Sequence, residues 1–137
     1  MRVVLDTNVL VAGLLFAAGP PAWIIEAALA GDLDLAFNMA IRQEYEDVLL
    51  RPEFGFSRPR VEALLAVIDR FGLWVAAVAP WPVPLPDPDD EPFLGVAAAT
   101  ESALVTGNVR HFPARCRQGV RVLTPRELVD GLTRERS

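Results

Sequence analysis

The first fifteen residues constrain the fold more than any other part of the chain. An apolar run with the character of a β-strand, residues 2–5, ends on Asp6 and leads at once into a helix-like run through Thr7 and Asn8. A carboxylate at such a junction lies at the carboxyl end of a strand, where ligands bind in parallel α/β sheets. Asp6 is therefore the first candidate for chemistry, although the same residue could simply cap the following helix.

Strand-like and helix-like segments alternate along the chain. Strands are predicted for residues 2–5, 33–37, 73–78, 103–106 and 120–123. Helical spacing or a helix-starting proline predicts helices over residues 9–17, 21–30, 40–50, 59–71, 91–102 and 125–132. Such alternation indicates βαβ units, so we expect a three-layer α/β/α fold around a central, mostly parallel sheet of about five strands.

Length and composition fit one domain. The chain has 137 residues, of which 52% are hydrophobic, and it contains no linker or repeat, so we expect a single domain over residues 1–137. The lone cysteine, Cys116, cannot form an internal disulfide, which fits a reducing compartment. The apolar stretch after Asn8 is short of the roughly 20 residues that span a bilayer. We therefore expect a cytoplasmic protein with no membrane partner.

The residue inventory argues against several enzyme classes. The chain has no lysine, which aspartyl-phosphate phosphatases and receiver domains normally place near the phosphate. Glycine fingerprints of nucleotide-binding folds and the G-x-S-x-G elbow of serine hydrolases are absent. One cysteine and one histidine exclude the usual structural zinc sites. A net charge of -5 argues against a broadly basic surface for nucleic acid but permits a local basic patch.

Two further segments carry candidate acids. Six prolines between residues 80 and 92 predict an extended loop that leads Asp87, Asp89 and Asp90 to the start of a helix. One acid at a helix N-terminus is explained by the helix dipole, but three are not. In the helix over residues 40–50, Glu44 flanks the predicted buried stripe and can point toward the sheet edge. The same glutamate could also be an ordinary surface charge. The predicted stripe consists of Ile41, Tyr45, Val48 and Leu49.

A second strand-to-turn junction repeats the geometry of Asp6. The apolar run over residues 103–106 ends in Thr106, Gly107 and Asn108, and His111 follows. Because parallel strands share one carboxyl edge, these residues are expected near Asp6, although Thr-Gly-Asn is also a common turn. The segment that follows is basic and contains no acid up to residue 121. It is either a phosphate-binding strip or a solvated loop, and its candidates for binding RNA are Arg110, Arg115 and Arg117.

In their order and spacing, four stretches resemble the PIN-domain family of metal-dependent ribonucleases, in the branch that supplies toxins of bacterial toxin-antitoxin pairs. The stretches are LDTNVLVAGLL, EYEDVLLRPEF, DPDDEPFLGVAAA and LVTGNVRHFP. The resemblance implies a divalent-metal-dependent endoribonuclease that leaves a 5′-phosphate and a 3′-hydroxyl. It also implies an RNA substrate, a small antitoxin partner and a homodimer.

The resemblance assigns roles to individual side chains. Asp6, Glu44 and Asp90 are implied to bind Mg²⁺ or Mn²⁺, and Asn108 joins them among the catalytic residues. Asp87 and Asp89 are further candidate ligands. The expected supporting residues are Thr7, Asn8, Thr106 and His111.

The chain departs from the family's fullest pattern, in which a fourth acid follows the threonine turn. The positions that correspond are Asn108 and His111, and neither has a carboxylate. The consequence could be a weaker second metal site, replacement by Asp87 or Asp89, or a shift toward Mn²⁺, since imidazole suits transition metals. The alternative is a degenerate, non-catalytic PIN module that binds RNA or a protein partner.

Overall fold

A parallel β-sheet lies at the centre of the structure, a computed structural model that describes residues 1–136, with side chains up to residue 134. The strand order is β3-β2-β1-β4-β5, and each neighbouring pair is parallel. The strands are β1 (Arg2–Leu5), β2 (Asp34–Phe37), β3 (Leu73–Trp74), β4 (Ala103–Val105) and β5 (Val122–Leu123). The predicted α/β/α class is confirmed, and the sheet is parallel throughout the described residues.

Each predicted helix has a counterpart in the structure. The helices are α1 (Thr7–Leu15), α2 (Pro20–Leu29), α3 (Met39–Leu49), α4 (Arg58–Phe71), α5 (Glu91–Ala99) and α6 (Pro125–Arg136). Short 3₁₀ turns occupy Pro52–Phe54, Pro88–Asp90, Val109–His111 and Ala114–Cys116. The side chain of Asn38 caps the start of α3, where its oxygen accepts a hydrogen bond from the amide of Ile41 at 3.0 Å.

Several elements are shorter than their predicted lengths, and β3 and α5 are shortened most. β3 ends at Trp74 rather than residue 78, because β2 ends at Phe37 and its carbonyl accepts the last ladder bond, from Val75 at 2.9 Å. α5 ends at Ala99 rather than residue 102, because Glu101 takes a left-handed conformation with φ 52°.

The hydrophobic core surrounds the middle of the sheet. Val3, Val4 and Leu5 of β1 are fully buried, and β4 is buried along its whole length. Among the described residues no single helix is long and apolar enough to cross a membrane. α1 and α2 pass that test only as a pair, and they meet at 100°. The order of the sheet places β1 and β4 side by side, so the residues that follow both strands share one edge.

Candidate active site at the carboxyl edge of the sheet

Asp6 and Thr106 meet immediately after the two central strands. The amide of Asp6 donates to the carbonyl of Val105 at 2.9 Å, which continues the β1–β4 ladder by one residue. The Thr106 hydroxyl then donates to Asp6 Oδ2 at 2.8 Å, and both residues are buried. The juxtaposition expected from parallel strands is present, although the two residues are 100 positions apart in the chain.

Asn8 ties the two strand-to-turn junctions together. Its Nδ2 donates to Asp6 Oδ2 at 3.3 Å, while its Oδ1 accepts from the amide of Gly107 at 3.0 Å. The amide of Asn108 donates to the Thr106 hydroxyl oxygen at 3.0 Å. Asn108 therefore reaches this network through its backbone. The network orients the carboxylate of Asp6 and braces the turn that follows β4.

Glu44 reaches the same edge from α3. The Thr7 hydroxyl donates a hydrogen bond to Glu44 Oε2. The following residue, Tyr45, is fully buried and its hydroxyl donates to the carbonyl of Leu5 at 2.5 Å. This contact joins α3 to the last residue of β1. Sequence reasoning placed Tyr45 in the core but missed that its hydroxyl fixes the position of Glu44; an aromatic residue with a polar end beside a candidate acid was the available signal.

Asp90 is the most buried of the acids that the proline-rich segment carries. It closes the 3₁₀ turn Pro88–Asp90, in which Asp87 Oδ1 accepts from the amide of Asp89 at 3.0 Å. Asp90 is 8% exposed, whereas Asp87 and Asp89 are exposed. His111 Nδ1 lies 3.2 Å from Asp90 Oδ2, but the contact lacks hydrogen-bond geometry. Asp90 Oδ2 is therefore buried without a hydrogen-bond partner.

Burial destabilises the charged forms of the three principal carboxyls, and neighbouring acids add to the effect at Asp90 and Glu44. Burial raises the pKa of Asp90 to about 6, with further contributions from Asp6, Asp87 and Glu44, against the opposing effect of His111. Burial also raises the pKa of Glu44, and the charges of Asp6, Asp89 and Asp87 add to the effect. Burial also raises the pKa of Asp6. Hydrogen bonds from Thr106 and from nearby backbone amides, together with the charge of His111, offset part of that rise. A nearby cation would favour the ionised form of each of these carboxyls.

The donor set fits a divalent cation chemically. Asp90 Oδ2 lacks a partner, and the surrounding ligands are carboxylate oxygens, which hard divalent cations prefer. These side chains do not converge on a single point: in the part of the chain with described side chains, no three His, Cys, Asp or Glu residues form a closed metal site. Glu44, for example, is held by Thr7. A cation would therefore have to attract carboxylates that hydrogen bonds now hold in place.

The predicted basic strip lies on the turns that follow the site. Arg110 and Arg115 are exposed and free to face solvent. Arg117 is half-buried, and its Nε donates to the carbonyl of Phe112 at 2.8 Å. Phe112 is fully buried, so Arg117 supports the turn that carries His111.

A cavity of about 500 Å³ adjoins Glu44. It lies between α3 and the proline-rich segment, with apolar walls that include Ile41, Trp81 and Phe93, and with Asp89 at its rim. Sequence reasoning did not identify this cavity, because its walls come from distant parts of the chain. It gives the acidic edge an open approach from one side.

The carboxylates lie at the carboxyl edge of a parallel α/β sheet, which is where such folds bind their ligands. Residues 2–110 match the family model described as PIN domain. The chain therefore belongs to the PIN domain family, as the sequence motifs indicated. PIN domains are generally nucleases and generally use divalent metal ions.

One solved structure illustrates the similarity of fold. The chain is similar to a chain of VapBC2 from Rickettsia felis, whose crystal structure was determined with the proteins bound to a DNA fragment from their promoter. The TM-score is 0.60 at 14% sequence identity, and the match covers 90% of this chain and 98% of that chain. No curated protein sequence matches the chain.

Proposed function

We propose that this PIN domain is a divalent-metal-dependent endoribonuclease that acts as the toxin of a toxin-antitoxin pair. One observation carries the catalytic part of the proposal. Asp6, Glu44 and Asp90 come from three separate elements, lie within electrostatic reach of one another, and include a buried oxygen with no hydrogen-bond partner. A metal-independent binding module has no need for such a cluster.

Asp6, Glu44 and Asp90 are the proposed ligands of Mg²⁺ or Mn²⁺, and Asp87 and Asp89 stand close enough to add charge. When bound, the cation makes water a better nucleophile and stabilises negative charge on the scissile phosphate. Mg²⁺ commonly uses only one or two carboxylates plus substrate phosphate, so an incompletely closed protein site is compatible with binding.

The remaining polar residues position these ligands. Thr106 and Asn8 both donate to Asp6 Oδ2, which favours its ionised form and fixes its orientation. Thr7 does the same for Glu44. Asn108 contributes its backbone amide to the Thr106 hydroxyl. These are positioning roles, because a carboxylate that rotates away loses the geometry that hydrolysis requires.

RNA is the proposed substrate, held by Arg110 and Arg115, with Arg117 in a supporting position. Arginine suits phosphate because its planar guanidinium can donate two parallel hydrogen bonds. Hydrolysis by an in-line water leaves a 5′-phosphate and a 3′-hydroxyl. A 2′,3′-cyclic phosphate product would instead indicate attack by the ribose hydroxyl and would contradict the mechanism.

A small antitoxin, a homodimer and a cytoplasmic location complete the proposal. The motifs that resemble the toxin branch of the family support it, together with the fold shared with a chain of the VapBC2 assembly. A second candidate is a non-catalytic module for RNA or a protein, which the lack of a carboxylate at Asn108 and His111 favours.

The test is cleavage of a labelled single-stranded RNA by the full chain with Mg²⁺, with Mn²⁺ and with EDTA. We expect metal-dependent cleavage that Asp6→Asn abolishes. The matched control is Asp34→Asn, which removes an exposed carboxylate at the start of β2, away from the carboxyl edge. If RNA is bound but not cut with either metal, the non-catalytic candidate is correct.

A further inference from the structure

His111 and Asp90 lie at ion-pair distance, but the contact leaves an oxygen of Asp90 without a hydrogen bond. Nδ1 and Oδ2 are 3.2 Å apart, yet Oδ2 accepts no hydrogen bond and is shielded from solvent. A buried oxygen in this state is costly unless something else satisfies it. Two neighbouring ligands about 2.1 Å from an octahedral cation lie roughly 3.0 Å from each other. The observed separation is close to the one that two ligands of a shared cation adopt.

His111 is held in this position by the local fold. It ends the 3₁₀ turn Val109–His111, and its amide donates to the carbonyl of Asn108 at 3.2 Å. The next residue, Phe112, is fully buried, and Arg117 bonds its carbonyl. The imidazole itself remains 46% exposed, so it can adjust to a ligand. The ring also lies within electrostatic reach of Asp6.

We infer that His111 is a nitrogen ligand of the proposed cation beside Asp90, and that this mixed nitrogen and oxygen pair selects a transition-metal cation such as Mn²⁺ over Mg²⁺. The inference rests on the proposed function and deepens it by naming the class of metal. Imidazole is a good ligand for transition metals, whereas Mg²⁺ takes oxygen ligands almost exclusively. The imidazole of His111 would thus take the place of the fourth carboxylate in the family's fullest pattern, at the carboxyl edge of the sheet.

The chain offers an unusually clean test, since His111 is its only histidine. The protein is prepared without a histidine tag, loaded with Mn²⁺ and studied by pulsed electron paramagnetic resonance. Coupling of Mn²⁺ to an imidazole ¹⁴N can then come from no other residue. We expect this coupling in the native protein and its loss in His111→Ala and His111→Asp.

Calorimetric titration with Mn²⁺ and with Mg²⁺ provides the second measurement. His111→Asp supplies an oxygen ligand, so it should lower the preference for Mn²⁺ over Mg²⁺ by about tenfold, the lower end of the effect of altering a metal site's supporting groups. Circular dichroism checks that both variants are folded. Absence of ¹⁴N coupling in native protein with bound Mn²⁺, or an unchanged preference in His111→Asp, would overturn the inference.

These measurements separate the inference from the nuclease proposal. RNA cleavage without ¹⁴N coupling would overturn only the role of His111. Coupling in a protein that cuts no RNA would support the ligand and count against the proposed activity. Failure to bind Mn²⁺ and Mg²⁺ at all would overturn both.

Discussion

Thr106 holds the carboxylate of Asp6 through one hydrogen bond of 2.8 Å in a buried setting. Thr106→Val keeps the shape of the side chain and removes the donor. We expect metal affinity and RNA cleavage to fall by about 10- to 100-fold, as for other residues that orient a metal ligand. Calorimetry with Mn²⁺ and the cleavage assay measure the two effects.

The control for that substitution is Thr100→Val, which removes the same hydroxyl at the end of α5, where it bonds Val96 and Ser102. Its metal affinity should equal that of the native protein. Equal losses in the two variants would mean that the hydroxyl of Thr106 has no special role at the site.

Because of Asp90, we expect the stability of the metal-free protein to depend on pH. Its pKa is raised from 3.8 to about 6 in the folded state, so folding favours the protonated form. The stability linked to this proton is fully present below pH 3.8 and is lost as the pH rises through about 6. In EDTA, we expect a lower melting temperature at pH 7.5 than at pH 5.

Asp90→Asn tests the source of this dependence, because the amide is neutral at every pH. The difference in melting temperature between pH 5 and pH 7.5 should shrink in the variant. If it persists at full size, Asp90 is not its source. Burial also raises the pKa of Asp6 and Glu44, so a smaller dependence of the same sign should remain.

At the scale of elements, α1 and α2 pack so closely that Gly13 has no room for a side chain. A Cβ there would clash with Ile25 Cδ1 and would lie 2.8 Å from the carbonyl oxygen of Pro21. Gly13→Ala should therefore destabilise the fold by about 1–3 kcal/mol, the usual cost of overpacking. Urea titration measures the change.

Gly131 in α6 is the matched position for that experiment, because nothing lies within 4 Å of a Cβ built there. Alanine is the better helix former, so Gly131→Ala should leave stability unchanged or raise it by up to about 1 kcal/mol. Similar destabilisation by both substitutions would contradict the packing explanation.

The strands and helices were largely predictable from the sequence, whereas details that depend on how they pack were not. The alternating pattern predicts five strands and six helices, and parallel strands place Asp6 beside Thr106. The early end of β3 depends on where β2 stops, which its own apolar run does not reveal. Likewise, helical spacing predicts that Tyr45 is buried, but the bond from its hydroxyl to Leu5 requires the relative position of α3 and β1.

The same limit applies to the site. The candidate acids Asp6, Glu44 and Asp90 were predicted from a strand end, a helix face, a helix start and the family motifs, but the lack of a partner for Asp90 Oδ2 was not predictable. That property depends on the angle between His111 and Asp90 as well as on their distance. Neither quantity is determined by spacing along the chain.

At the scale of the whole molecule, the proposed function requires an acidic chain to bind RNA, which is a polyanion. Arg110 and Arg115 are exposed beside the site, whereas Arg117 supports the backbone. With Asp6→Asn as background to prevent cleavage, the double substitution Arg110→Ala and Arg115→Ala should weaken RNA binding for all sequences. The slope of log affinity against log salt should fall by about 1 for each phosphate that the variant no longer neutralises.

Arg2 and Arg70 provide a control of equal charge, since both are exposed and Arg2 begins β1 at the opposite end of the sheet. Replacing both with alanine should leave most of the affinity and the salt slope. If both pairs reduce binding equally, net charge rather than the basic strip determines affinity.

The pairing of β1 with β4 has a consequence during synthesis of the chain. Asp6 leaves the ribosome early, but its hydrogen-bond donor Thr106 is made 100 residues later. A fragment that ends before β4 contains Asp6, Glu44 and Asp90 but lacks the strand that positions Asp6. Products that terminate before β4 would therefore lack an assembled site, so the proposed activity requires translation of the segment that contains Thr106.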